Sequence, residues 1–290
     1  MKKILFASTA LVASAGFAAA EISFGGEAGM GFIYEDVAVG DDWTVDFYTT
    51  LNIDMTGETD GGLGFGVDLD LTFDNGGSAA TDNQVVYIEG GFGKFSVGTV
   101  GSAADATLGL SDIGYSGLGV DNVAEELVDA GDAGNLMYQG TFGDFGVALS
   151  HDLNGTEVTS IAATYTMGDF NVGLGYDDWG NVNTSNSIHV KAGANIADFS
   201  LNALYSRNSD LDVTSYGVTA GYTMGAVSVT AGYSETDAAV NAVNAGLGLV
   251  TGEAYGLGVA YDLGGGASVN AGIAEVGGVT KADMGIIMTF

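Results

Sequence analysis

The chain has 290 residues, with no cysteine or proline but 49 glycines. Its 37 acidic residues outnumber six basic ones, which argues against nucleic acid as a partner because phosphate binding needs clustered Lys and Arg. After residue 20 no stretch is apolar over about 18 residues, which excludes a membrane protein built from spanning helices.

The first 20 residues have the pattern of a secretory signal peptide. Lys2 and Lys3 supply positive charge, residues 4–17 are mostly apolar, and a run of alanines ends at Ala20. We therefore expect cleavage after Ala20 and export of residues 21–290 as a single domain. Only two lysines are lost with the signal, so four basic residues remain against 37 acidic ones.

Along the mature chain, apolar and polar residues alternate. A period of two places them on opposite faces of a β-strand. Short and long connections also alternate, seven against eight, which predicts an all-β, sixteen-stranded antiparallel up-and-down transmembrane barrel. The short connections include Gly93 and Lys94, and the last of the long ones covers residues 275–281.

The polar face carries too many charges for a dry interior, so we expect it to line a water-filled lumen while the apolar face meets the lipid bilayer. Aromatic residues flank the connections at both ends, as in the two girdles of a membrane barrel. The chain ends in Phe290, which resembles the terminal signal read by the outer-membrane assembly machinery. The predicted pore wall comprises Asp46, Tyr48, Thr50, Asn52, Asp68, Asp70, His189 and Lys191.

Several segments carry a family resemblance in their order and spacing. They are residues 41–43 (DDW), 62–66 (GLGFG), 91–94 (GFGK), 165–168 (YTMG), 172–176 (VGLGY) and 255–268 (YGLGVAYDLGGGAS). The mature chain resembles the general diffusion porins of the Gram-negative outer membrane, in particular those of alphaproteobacteria. The resemblance implies passive diffusion of ions and small hydrophilic solutes, a homotrimer, and a third loop that folds into the lumen as a constriction.

The third long connection, residues 101–134, is the longest, and a loop beyond about 15 residues is often functional. We expect helix within Val120–Asp129. The resemblance implies a basic cluster on the wall opposite the loop, but the predicted wall of the second and third strands contains no base. Because an acidic ring selects cations, we predict a cation-preferring pore. The loop acids are Asp105, Asp112, Asp121, Glu125, Glu126, Asp129 and Asp132.

Other functions have weaker support in the sequence. Glu125, Glu126 and Asp129 form a candidate calcium cluster, because Ca²⁺ prefers carboxylate oxygens, and no other cofactor is expected. The only histidines are His151 and His189, and no catalytic motif is present, so we expect no enzyme. Two alternatives stay open, namely a substrate-specific or structural outer-membrane barrel and a secreted soluble calcium-binding β protein.

Overall fold

The computed structural model describes residues 20–36, 42–129, 134–181, 185–238 and 252–290, so nearly all of the predicted signal peptide lies outside the described residues. Within these ranges the chain forms sixteen strands and two helices. They are β1 (Glu21–Glu35), β2 (Trp43–Glu58), β3 (Gly64–Asp74), β4 (Ala80–Gly90), β5 (Gly93–Gly98), α1 (Asp105–Leu108), α2 (Val120–Asp129), β6 (Leu136–Phe142), β7 (Phe145–His151), β8 (Thr159–Met167), β9 (Phe170–Asp178), β10 (Asn186–Ile196), β11 (Phe199–Asn208), β12 (Val213–Met224), β13 (Val227–Ala238), β14 (Gly252–Gly264), β15 (Ala267–Val276) and β16 (Val279–Thr289).

Each strand pairs antiparallel with its neighbours in sequence. The first strand also pairs with the last, from Glu27 opposite Thr289 to Glu35 opposite Lys281, so the sheet closes into a barrel. Closure leaves no strand edge with unpaired backbone groups. The predicted sixteen-stranded up-and-down barrel is therefore confirmed.

The alternation of the sequence determines which residues face outward. In β9, Leu174 is 61% exposed on the outside, whereas the neighbouring Gly173 is buried on the lumen side. The same alternation leaves large apolar side chains exposed around the barrel, including Val45 and Leu201. A water-soluble barrel would bury this face, so the exposed apolar surface requires an apolar surrounding.

Two of the predicted connections are wrong. Gly90 pairs with Gly93, so Gly91 and Phe92 form the turn before β5 and Lys94 lies within the strand. The predicted loop 275–281 is a tight turn, because Val276 pairs with Val279 around two glycines with positive φ. The charges of this segment suggested a loop, but Lys281 points into the lumen and pairs with Glu35, 3.0 Å away.

The apolar core lies between the barrel wall and the connection from β5 to β6, which we call the third loop (residues 99–135). Every buried apolar cluster in the described residues includes side chains of this loop. Leu108 packs with Leu204 of β11, and Leu127 packs with Trp179 and Val213. The loop therefore replaces the solid core that a smaller barrel would have.

Glycines on the lumen face make room for this loop. A Cβ atom added at Gly232 would lie 2.9 Å from Ile113, and one added at Gly217 would lie 2.6 Å from the Cβ atom of Ala124. Both distances are shorter than normal carbon contacts. Glycine at these wall positions thus permits the loop to lie flat against the sheet.

We expect Gly258→Val to destabilise the barrel. Its added Cβ atom would lie 2.7 Å from the backbone nitrogen of Gly114, and overpacking of this kind costs about 1–3 kcal/mol. Gly25→Val is the control, because its Cβ atom would meet no atom closer than 3.6 Å. Thermal unfolding and limited proteolysis would show a less stable barrel and a more cleavable third loop only for Gly258→Val. Equal behaviour of the two variants would contradict the role given to these glycines.

Candidate functional site: the lumen and its third loop

The third loop folds into the lumen, as predicted. The first turn of the loop is hydrogen-bonded to the wall. The backbone amides of Ala103 and Ala104 donate to the hydroxyls of Ser150 and Ser160, at 2.8 and 2.9 Å. Both serines are buried on the lumen side of β7 and β8. These contacts hold the start of the loop against the inside of the barrel.

The tip of the loop is anchored where β16, β1 and β2 adjoin. Asp283 on β16 accepts the backbone amides of Tyr115 and Ser116 at 2.9 and 2.6 Å, and the Ser116 hydroxyl at 2.8 Å. The hydroxyl of Tyr115 donates to Asp46 on β2 at 3.0 Å. Burial and the hydrogen bond to Asp46 raise the pKa of Tyr115, so it remains a neutral donor. The loop thus crosses the lumen from β5 to the first and last strands.

The helix α2, predicted over the same residues, lies against the wall formed by β10 to β15. The hydroxyls of Ser234 and Thr236 on β13 donate to the backbone carbonyls of Val120 and Val123. The shorter α1 packs against β8, β9 and β10. Neither helix covers the wall from β2 to β5, so the open passage runs along those strands.

The uncovered wall carries the polar residues predicted for β2 and β3. Side chains pair across the strands, with Tyr48 donating to Glu27 at 2.6 Å and Asn52 donating to Asp70 at 2.6 Å. Thr50 and Thr72 share a hydroxyl hydrogen bond of 2.8 Å. A cavity of about 480 Å³ opens on this wall and is lined in part by Glu27, Asn52, Asp54, Asp68 and Asp70.

The predicted loop acids do not form a uniform ring. Asp112 is exposed and Asp105 and Glu126 are half-buried, whereas Asp121 is 5% exposed. Burial raises the pKa of Asp121, and together with the neighbouring charges of Asp112 and Glu125 it brings that pKa to about 7. The side chain of Asp129 and the whole of Asp132 lie outside the described residues.

Glu125 forms a hydrogen bond within the third loop. Its carboxylate accepts the backbone amide of Leu110, and burial raises its pKa. Lys191 on β10 donates to the backbone carbonyl of Gly109 at 2.5 Å and lies close enough to Glu125 to lower that pKa in part. Lys191 therefore points inward as predicted, and it binds the loop.

Lys94 is the wall residue that the sequence reasoning missed. Its ammonium lies 3.5 Å from Asp68 and 3.7 Å from the centre of the Tyr87 ring. The glycines beside Lys94 suggest a turn, although the residue alternates with the outward Phe95 and Val97. That alternation is the signal that places Lys94 in the lumen.

His189 has a different environment from the one predicted. It is 1% exposed, and its two ring nitrogens contact Asp177 at 3.0 Å and Ser206 at 2.8 Å. Both partners are fully buried. This placement argues against His189 lining the open channel.

The calcium hypothesis remains a prediction. In the parts of the chain that the structure describes, no group of three or more His, Cys, Asp or Glu could hold a metal ion. The proposed cluster of Glu125, Glu126 and Asp129 includes a side chain outside those parts.

The outer surface has aromatic pairs at both ends of the strands. At the end with the long loops, the rings of Tyr34 and Trp43 are 5.2 Å apart. At the end with the short turns, Phe199 and Tyr222 are 4.5 Å apart. Phe290 lies at this second end with 72% of its surface exposed. Such belts lie at the two boundaries of a bilayer.

No helix in the described ranges is long and apolar enough to cross a membrane.

Comparisons with known proteins agree with this geometry. The sequence profile of Gram-negative porins matches residues 7–280. A porin from Rhodobacter capsulatus is 30% identical over 296 residues, covering 88% of this chain and 94% of that protein. A variant of the Rhodopseudomonas blastica porin has the same fold, with a TM-score of 0.77 at 22% identity, covering 93% of this chain and 100% of that one. A porin structure refined at 1.8 Å resolution matches with a TM-score of 0.71 at 26% identity and the same coverage.

The closed barrel, the third loop inside it and the apolar outer face are therefore accompanied by a family match over nearly the whole sequence. Proteins of this family are outer-membrane channels and not enzymes. The chain belongs to the Gram-negative porin family and forms a channel in the outer membrane.

Proposed function

We propose that this porin conducts cations in preference to anions. The observation that carries the proposal is the excess of carboxylates on the uncovered wall, where Glu27, Asp54, Asp68 and Asp70 line one cavity. Exposed Asp112 adds negative charge on the loop. A lumen with rings or clusters of carboxylates attracts cations and repels anions.

The lysines of the lumen do not balance these acids. Lys94 pairs with Asp68 and Lys281 pairs with Glu35, at 3.5 and 3.0 Å. Lys191 is half-buried and donates to a backbone carbonyl of the loop. Each inward lysine is thus occupied locally, so the family's usual arrangement of a basic wall opposite acidic loop residues is not expected for this pore.

A channel specific for one sugar has less support. Such a channel would need a ladder of accessible aromatic faces. The Tyr48 hydroxyl is engaged by Glu27, and the ring of Tyr87 is covered by Lys94. The geometry favours a general pore for small hydrophilic solutes, with charge as the main filter.

We expect the reversal potential in a KCl gradient to have the sign of a K⁺-selective pore. The triple variant Asp54→Asn, Asp68→Asn, Asp70→Asn should lose part of this selectivity, about twofold in permeability ratio for each charge, because charges about 10 Å from the ion act through water. Planar-bilayer recordings at low and high salt would measure both effects, and high salt should weaken them.

The matched control is Glu235→Gln, Glu253→Gln, Glu275→Gln, which removes three negative charges from the outer face. These residues share the outward side of β13, β14 and β15 with exposed Leu257 and Ile273. The control should keep the reversal potential of the unmodified protein. Anion selectivity of the unmodified porin would refute the proposal.

We expect Asp283→Ala to release the loop tip and increase the single-channel conductance. The substitution removes the acceptor of three hydrogen bonds, and hydrogen bonds to charged groups are worth about 1.5–3 kcal/mol each. Limited proteolysis within the third loop should accelerate at least tenfold, as an order-of-magnitude estimate. Asp283→Asn keeps a carbonyl acceptor and should change both readouts less. Unchanged conductance and cleavage in Asp283→Ala would show that Asp283 does not anchor the loop.

We also infer that the exported protein has lost residues 1–20 and assembles as a homotrimer, as the family resemblance implies. Mass spectrometry of porin extracted from the outer membrane should give the mass of residues 21–290 for the chain. Under native conditions it should give three times that mass. A monomer under mild extraction would contradict the trimer, and a retained leader would contradict the cleavage site.

A further inference from the structure

A patch of tyrosines and glutamates lies on the outer face at the end of the barrel with the long loops. Tyr216 donates to Glu235, and Tyr233 donates to Glu235 at 2.9 Å and to Glu253 at 3.3 Å. Glu235 and Glu253 are direct cross-strand partners. Like charges in this position normally destabilise a sheet, so the tyrosines reduce a repulsion that the sequence nevertheless keeps.

The patch continues onto the next strand. Tyr255, which is 47% exposed, donates to Glu275 at 2.7 Å. Three carboxylates and three phenol rings therefore share one surface on β12 to β15. None of the ion pairs within the described ranges involves these glutamates. The long-loop end of a porin faces the outside of the cell, so the patch lies at the level of the outer-leaflet headgroups.

An apolar groove begins at this patch and runs along the barrel toward the middle of the membrane. Its volume is about 420 Å³, and small residues such as Ala231 form its floor. Leu257 and Ile273, both more than half exposed, form its sides, while Tyr255 and Glu275 lie at its upper end. The groove and the patch together are complementary to a lipid, because an apolar groove for an acyl chain lies below a charged surface for a headgroup.

The negative charge of the patch favours a cationic lipid headgroup over a second copy of this chain. Among the lysines and arginines of the described chain, only Arg207 lies on the outer face, on the same side of β11 as exposed Tyr205, and it is already paired with Asp212 at 2.5 Å. The described part of a second copy of this chain thus offers the patch no unpaired lysine or arginine. A cationic headgroup would contact the three carboxylates and the electron-rich faces of the tyrosines, which bind ammonium groups.

We propose that this surface binds an outer-leaflet lipid whose headgroup ends in an ammonium group. One acyl chain lies in the groove, and the ammonium lies among Glu235, Glu253 and Glu275. The site is on the outside of the barrel and is independent of ion selection in the lumen. The two proposals therefore fail separately.

Native mass spectrometry of the detergent-solubilised porin would test the site with three dioleoyl probes in equal amounts: trimethylammonium-propane, phosphatidylcholine and phosphatidylglycerol. We expect retention in that order. Glu235→Gln, Glu253→Gln, Glu275→Gln should reduce retention of the trimethylammonium lipid about five- to tenfold, from the usual strength of exposed ion pairs. Retention of phosphatidylglycerol should not decrease in this variant.

Two controls separate the site from diffuse attraction to an acidic protein. Asp54→Asn, Asp68→Asn, Asp70→Asn removes the same charge from the lumen and should leave lipid retention unchanged. Ala231→Leu fills the groove and should weaken all three lipids, whereas Ala192→Leu, outward on β10, should weaken none. Equal loss in the two triple variants would overturn the proposal, because binding would then follow total charge. Preferential retention of phosphatidylglycerol in Mg²⁺, abolished by a chelator, would overturn it in favour of a bridged anionic lipid. A dimer joined through the patch would overturn it in favour of a second copy.

Discussion

The close contact between the third loop and the glycines of the wall beneath it is the constraint on which the rest of this porin depends. At Gly217, Gly232 and Gly258 a single added carbon would collide with the loop. The glycines therefore allow the body of the loop to lie flat against the wall of β12 to β14. The wall from β2 to β5 is not covered by either helix and carries carboxylates. The position of the glycines thus decides which side chains meet the passing solute.

The acidic composition also decides how the loop is held. With four basic residues after the signal, ion pairs cannot fasten every part of it. Hydroxyls of Ser234 and Thr236 bind its backbone carbonyls, and the carboxylate of Asp283 binds its backbone amides. Where acids approach one another, as Asp121 and Asp112 do, the raised pKa lets one hold a proton and donate a hydrogen bond. The loop is thereby fixed without neutralising the lumen.

Much of the fold could be predicted because a membrane barrel has one rule along its whole length. The connections predicted the strand number, and the apolar–polar alternation predicted the inward side of Asp68 and the outward side of Leu201. The alternation could not show that inward glycines mark the surface on which the loop packs, because glycine fits the inward or the outward face of a strand equally well. Burial of His189 likewise depends on where the loop lies, which is a long-range contact. The position of Lys94 was predicted wrongly because the glycines beside it suggest a turn at Gly93 and Lys94, whereas the residue lies within β5.

The same alternation links the two charged surfaces of the molecule. Moving a strand by one residue exchanges its lumen and lipid faces, so register must be fixed for either surface to function. Carboxylates can lie anywhere along the water-filled lumen. On the lipid face a charged side chain destabilises the barrel, and this free-energy cost becomes small only near the bilayer boundary. Glu253 and Glu275 lie at that boundary, above Leu257 and Ile273. Their depth is therefore the physical reason that an outward acid can persist here and meet a headgroup, whereas Asp68 and Asp70 could serve only the channel.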